Sequence, residues 1–111
     1  MQVYDTVNRL AQEIKESEEY LNYKTAKQVI ELNQELKKKI NDFEMERYEA
    51  QISSMKSGKE DEEKLKKVQE LYAEIIEQEE ARKYFDAELK FNILLGDVNK
   101  IISEAVRDVM Q

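Results

Sequence analysis

Apolar residues recur at helical spacing along almost the whole chain. Val3, Val7, Leu10, Ala11 and Ile14 fall three or four residues apart and predict a first helix over 2–16. Ser17 follows as a plausible N-cap, its hydroxyl able to accept from a backbone N–H that a helix start leaves unpaired. A second helix over 18–32 then carries Tyr20, Leu21, Tyr23, Ala26, Val29, Ile30 and Leu32. Asn33 can cap a third, with Glu35 in its first turn complementing the helix dipole. No proline or glycine separates the second and third segments, so one continuous rod fits the pattern as well.

The third segment runs on through Leu36, Ile40, Phe43, Tyr48, Ile52 and Met55. "SMKSGKEDEE" (54–63) is the clear break. Ser57-Gly58 can take the left-handed turn that ends a helix, and the acidic run suits the start of the next. A helical hairpin hinged near 56–60 is expected. A fourth helix carries Leu65, Val68, Leu71, Tyr72, Ile75 and Ile76, and a further bend near "EQEEARKYF" is allowed but not forced.

The last helix has the clearest pattern. Tyr84, Glu88, Phe91, Leu95, Val98, Ile102, Ala105 and Val109 alternate four-three-four-three, with Leu94 and Ile101 widening the stripe. That is the spacing of a helix packed along another helix. Beside it, Asn92, Gly96, Asn99 and Ser103 form a second line, with Phe85 and Leu89 leading in and Val106 leading out. A glycine inside a helix costs about 1 kcal/mol relative to alanine. Either this line is a second seam against a partner subunit, or it is a solvent-facing flank with one tolerated glycine.

Composition supports helix nearly throughout: 111 residues, 41% hydrophobic and 39% charged, with two glycines and no proline, cysteine, histidine or tryptophan. The expected fold class is all-α: four or five helices in hairpins, ending in a long C-terminal helix, as one domain over 1–111. The formal net charge is −7, with −2 over residues 1–56 and −5 over 57–111. Such a surface repels nucleic acid, so direct binding of RNA or DNA is disfavoured. The start lacks the apolar core of a signal peptide, and no window approaches a membrane span. A soluble, cytoplasmic protein is expected, consistent with the absence of cysteine.

Candidate chemistry is sparse. There is no histidine base, no cysteine nucleophile and no glycine-rich phosphate loop. Carboxylates abound, but a di-iron helical bundle needs Glu-x-x-His pairs, and glutamate at this density usually covers a solvated face. No catalytic, cofactor-binding or metal-ligating residue is assigned, and no enzymatic activity is expected. Glu60–Lys64, Glu62–Lys66 and Glu63–Lys67 have the spacing of helix-supporting ion pairs. "KKK" (37–39) lacks an aromatic platform and reads as ordinary surface. The six tyrosines mostly border apolar stripes, where a ring is buried and its hydroxyl stays wet.

"VYDTVNRLAQEIKESEEYLNYKTAKQVI", "INDFEMERYEAQ", the "SG" break and "YFDAELKFNILLGDVNKIISEAV" together resemble the YlbF/YmcA superfamily, most of all its YheA-like branch. The resemblance covers essentially the full chain, and its motifs are helix-packing patterns with no catalytic signature. It implies an all-helical fold that forms dimers or larger assemblies. It also implies non-enzymatic regulators of competence, sporulation and biofilm formation, linked to a complex that modulates the RNA-degrading enzyme RNase Y. Two departures matter. Family members often carry proline near the positions of Gln34 and Glu80, so its absence leaves those helix breaks open. Cysteine-held iron–sulfur clusters of some relatives cannot be carried over.

The expected function is therefore a helical binding or adaptor protein, a homo-oligomer and in the first instance a dimer, with protein partners in an RNA-processing complex. Phe85, Leu89, Phe91, Leu95, Gly96, Val98 and Ile102 are the expected contact or core residues. The alternatives are an RNA-binding protein with a basic face assembled in the oligomer, and a chaperone-like protein with an exposed apolar groove.

Overall fold

The computed structural model describes residues 2–111 and is helical almost throughout. Among the described residues there are six helices and no strand: α1 (Gln2–Glu16), α2 (Glu18–Glu31), α3 (Gln34–Ser57), α4 (Glu62–Ile75), α5 (Glu79–Ala105) and the short α6 (Arg107–Met110). The expected all-α class is present, with one more helix than expected.

The breaks have local causes. Ser17 closes α1 and opens α2: its hydroxyl donates to the Ile14 carbonyl (2.6 Å) and accepts from the Tyr20 N–H (3.1 Å). Asn33 separates α2 from α3, so there is no continuous rod. Its backbone is extended (φ −115°, ψ 90°) and its Oδ1 accepts from the Leu36 N–H at 3.1 Å. Gln34 is the first residue of α3 and Glu80 the second of α5. Both breaks that missing prolines had left open are thus present, at the helix starts where proline is best tolerated. Gly58 ends α3 in the left-handed region (φ 72°), its N–H donating to the Ser54 carbonyl, and Asp61 caps α4 by accepting from the Lys64 N–H.

The bend that the residues around 77–85 allow but do not force is present at the leading edge of that stretch, over 76–78. Arg82 holds it: the guanidinium reaches back to the carbonyls of Ile76 (2.6 Å) and Glu77 (3.2 Å), which α4 leaves unpaired. A second difference lies at the C-terminus. The helix expected to run through Val109 stops at Ala105, and Val106 (φ −110°, ψ 7°) resets the helical phase before α6. Every residue from Ile101 onward is exposed, so no packing holds the last turns in register.

The chain divides into two compact units. One is Gln28–Lys83; the other is the chain up to Lys27 together with Tyr84–Gln111. The Gln28–Lys83 unit is the expected hairpin, α3 returning as α4. Its core is Ile30, Leu36, Ile40, Phe43, Val68, Ile75 and Ala81, with Leu36 and Ala81 at 0% exposure. Leu36, Ile40 and Phe43 step four and three residues along one face of α3, and the Phe43 and Tyr72 rings meet at 5.5 Å.

Ion pairs cross the hairpin. Lys39 reaches Glu74 at 3.1 Å and Lys67 reaches Glu46 at 2.9 Å. Lys67 therefore pairs across to α3 instead of with Glu63, because a neighbouring helix offers a carboxylate within its reach. Of the "KKK" lysines, Lys37 pairs with Glu31 and Lys39 also contacts Glu35. The hydrogen bond and then the charge of Glu74 raise the Lys39 pKa, and Glu46 does the same for Lys67. A folded value above the unfolded one means the stabilisation is complete at neutral pH and is lost as pH rises through the raised lysine values. Denaturant titrations at increasing alkaline pH should show hairpin stability falling there. The double substitution Lys39→Met, Lys67→Met should flatten that fall.

Candidate interaction surface

The second unit is built on aromatic rings from α2 and α5. Tyr23 is its centre, 5.8 Å from the Tyr84 ring and 5.6 Å from Phe91; Tyr20 meets Phe91 edge-on at 5.9 Å, and Phe85 meets Tyr84 at 5.5 Å. Offset and edge-on pairs of this kind add to the burial of the rings themselves. Lys27 sits over the Tyr23 ring at 5.2 Å. Tyr84 and Ala87 are buried, and Phe91, Leu94, Leu95 and Val98 are half-buried along the same face.

Glu88 lies within this apolar stripe, where a carboxylate looks misplaced. The structure supplies the reason: the hydroxyls of Tyr23 (3.2 Å) and Tyr84 (3.4 Å) both donate to its Oε2. Two tyrosine hydroxyls expected to stay wet are instead turned onto one half-buried acceptor. The spacing of Tyr84 and Glu88, one helical turn apart, was visible in the sequence; the approach of Tyr23 from α2 was not.

Beyond that cluster the apolar surface is bare. Helix α1 is strongly amphipathic, yet none of its residues is buried: Val3 is 63% exposed and Val7 53%, with Leu10 and Ile14 half-covered. At the far end of α5, Ile101 and Ile102 are 68% and 52% exposed. The expected contact residues are thus divided. Phe85, Phe91, Leu95 and Val98 are partly covered by their own chain, whereas Leu89, Gly96 and Ile102 are exposed. A Cβ placed on Gly96 would meet no atom within 4 Å, so nothing in this chain needs the glycine there.

In the hairpin unit, two shallow concavities lie near the α3–α4 turn. One of about 350 Å³ has an apolar floor that includes Met55, Leu65 and Val68, with Arg47 and Asp61 at its edge. The other, about 480 Å³, is lined by Tyr48, Ile52 and Lys56 among others. Neither carries a constellation of catalytic groups. Among the described residues no group of His, Cys, Asp and Glu could hold a metal ion, and no helix is long and apolar enough to cross a membrane.

Comparison with known proteins identifies this architecture. The profile of the family described as "Control of competence regulator ComK, YlbF/YmcA" matches residues 3–107. The chain belongs to the YlbF/YmcA family. Similar sequences include a UPF0342 protein of Desulfitobacterium hafniense, 34% identical over 110 residues that span 99% of this chain and 89% of the relative. A UPF0342 protein of Clostridium novyi is 34% identical over 97% of this chain and 95% of its own length. One from Alkalihalophilus pseudofirmus is 31% identical over 96% and 91%. The matches run the length of both chains, so the helical breaks, the aromatic cluster and the bare apolar faces all lie within the YlbF/YmcA region.

Proposed function

We propose that this YlbF/YmcA chain is a non-enzymatic regulatory binding protein of the cytoplasm, self-associating, that presents helical surfaces to protein partners in an RNA-processing complex. The observation that carries the reading is the uncovered apolar face of α1 together with the distal stripe of α5. A chain of this size with so acidic a surface gains nothing from exposing Val3, Val7, Ile101 and Ile102 unless another helix covers them. The first occupant is a second copy, because the same face then serves both subunits and closes the assembly. The family description supports regulation, since it concerns control of a competence regulator.

Two measurements test this. Ile102→Asp places a charge where the isolated chain leaves the side chain exposed, so at concentrations where both proteins are monomeric the melting temperature should be unchanged. Self-association by sedimentation velocity should weaken about tenfold or more, as expected for an unpaired charge in an apolar contact. Leu95→Ala with Val98→Ala should weaken association as well, but with a lowered melting temperature, because both side chains are half-buried in their own chain. A tagged pull-down with and without nuclease tests the partner class. Recovery of an RNA-degrading enzyme or its regulatory proteins that survives nuclease supports an adaptor. Partners lost on nuclease treatment would overturn it in favour of direct RNA binding.

A further inference from the structure

Helix α5 has a second bare face, on the side away from Phe91 and Leu95. Asp86, Leu89, Ile93, Gly96, Asp97 and Lys100 recur along it at three- and four-residue steps, and all six are exposed. At about 100° per residue they lie within about 60° of the direction of Ile93. Leu89 and Ile93, at 59% and 54% exposure, form an apolar ridge, and Gly96 leaves an open notch beside it. Lys90 stands on the rim, joined to Asp86 at 3.1 Å by a surface ion pair whose partners are both more than half exposed. Such a pair can be exchanged at little cost.

We infer that this face is a homotypic interface whose occupant is a second copy of α5, antiparallel, with the two-fold axis at Ile93. Residues on the same flank of the helix at nearly equal distances from Ile93 in opposite directions then meet, level for Asp86 and Lys100 and offset by one residue's rise, about 1.5 Å, for the two four-against-three pairs. Ile93 meets Ile93, Leu89 enters the notch at the copy's Gly96, Asp86 faces Lys100 and Lys90 faces Asp97. One register satisfies all four relations. Apolar groups meet apolar groups or empty space, and each charge meets its opposite. A parallel pairing would instead stack Lys90 on Lys90 and Asp97 on Asp97, so the charges select direction as well as register. The glycine acquires a purpose here: it lets the two helices approach where Leu89 inserts. This interface is separate from the α1 and distal α5 faces proposed above and does not depend on them. If both form, dimers are joined in pairs.

The chain has no cysteine, so introduced thiols report on this contact alone. Ile93→Cys places two thiols across the axis, within disulfide reach. Leu89→Cys places them about 12 Å apart along the helices, out of reach. Under mild oxidation of the full-length protein, I93C should become mostly cross-linked. L89C alone should cross-link less than about a tenth as much, and a mixture of L89C with Gly96→Cys should cross-link strongly. Asp97→Lys in the I93C background should slow cross-linking, and adding Lys90→Asp should restore it. Cross-linking of I93C no faster than that of L89C overturns the inference. The same measurement in the Ile102→Asp background separates the two interfaces: persistence of the I93C cross-link there shows that this face pairs by itself.

Discussion

Replacing Leu36 with alanine is expected to destabilise the hairpin unit by about 2–5 kcal/mol, the range for a large side chain removed from a packed site. Leu36 has 0% exposure and lies in the first turn of α3, where its own N–H is held by Asn33. Truncation therefore opens a cavity next to the cap that positions the helix. The surrounding side chains, Ile40 and Phe43 among them, are held on the same face and can close the space only in part. A circular-dichroism melt of the full-length chain should show a midpoint lowered by at least about 8 °C. Leu32→Ala is the matched control. That residue is 87% exposed just past the end of the preceding helix, and its loss should leave the midpoint nearly unchanged. A small effect at Leu36 would mean that the hairpin core is not the stabilising centre of its unit.

The second large effect is expected at Tyr84. The ring is 7% exposed and touches both Tyr23 and Phe85, so Tyr84→Ala should cost about 3–5 kcal/mol in the aromatic unit. Tyr84→Phe keeps the ring and removes the hydroxyl, with its long hydrogen bond to Glu88, which also accepts from Tyr23. That variant should lose about 0.5–1.5 kcal/mol. Chemical denaturation of both variants tests the difference. Equal losses would place the stabilisation in the carboxylate contact and not in ring packing.

Most of the secondary structure was legible in the residues. The caps at Ser17 and Asn33 and the turn at Gly58 all follow from local chemistry: a side-chain acceptor for an orphan N–H, or a residue free to take positive φ. What stayed hidden depends on residues brought from elsewhere. The bend at 76–78 is held by Arg82 from the following helix, and nothing in the residues at the bend signals it. Lys67 has carboxylates both one turn away and on α3, and only the packing of the hairpin decides between them. The role of Glu88 was hidden for the same reason, since it needs Tyr23. The end of α5 was misread because a heptad pattern records where apolar residues fall, not whether anything covers them. The contact residues were legible as a stripe, but how they divide between covered and bare depends on how far the chain's own helices extend.

The bareness of α1 has a consequence for how the protein responds to its own abundance. A fifteen-residue helix that fully buries none of its residues, with only Leu10 and Ile14 half-covered among its apolar positions, has little packing to add to its intrinsic propensity, and such helices are marginal in water. On the self-association proposed above, its order would be borrowed from the copy that covers it. As copies accumulate and the covered state fills, α1 should pass from fraying to protected, and the apparent stability should rise with the logarithm of concentration. Ordering of the first helix would then act as a gauge of how much of the protein is present.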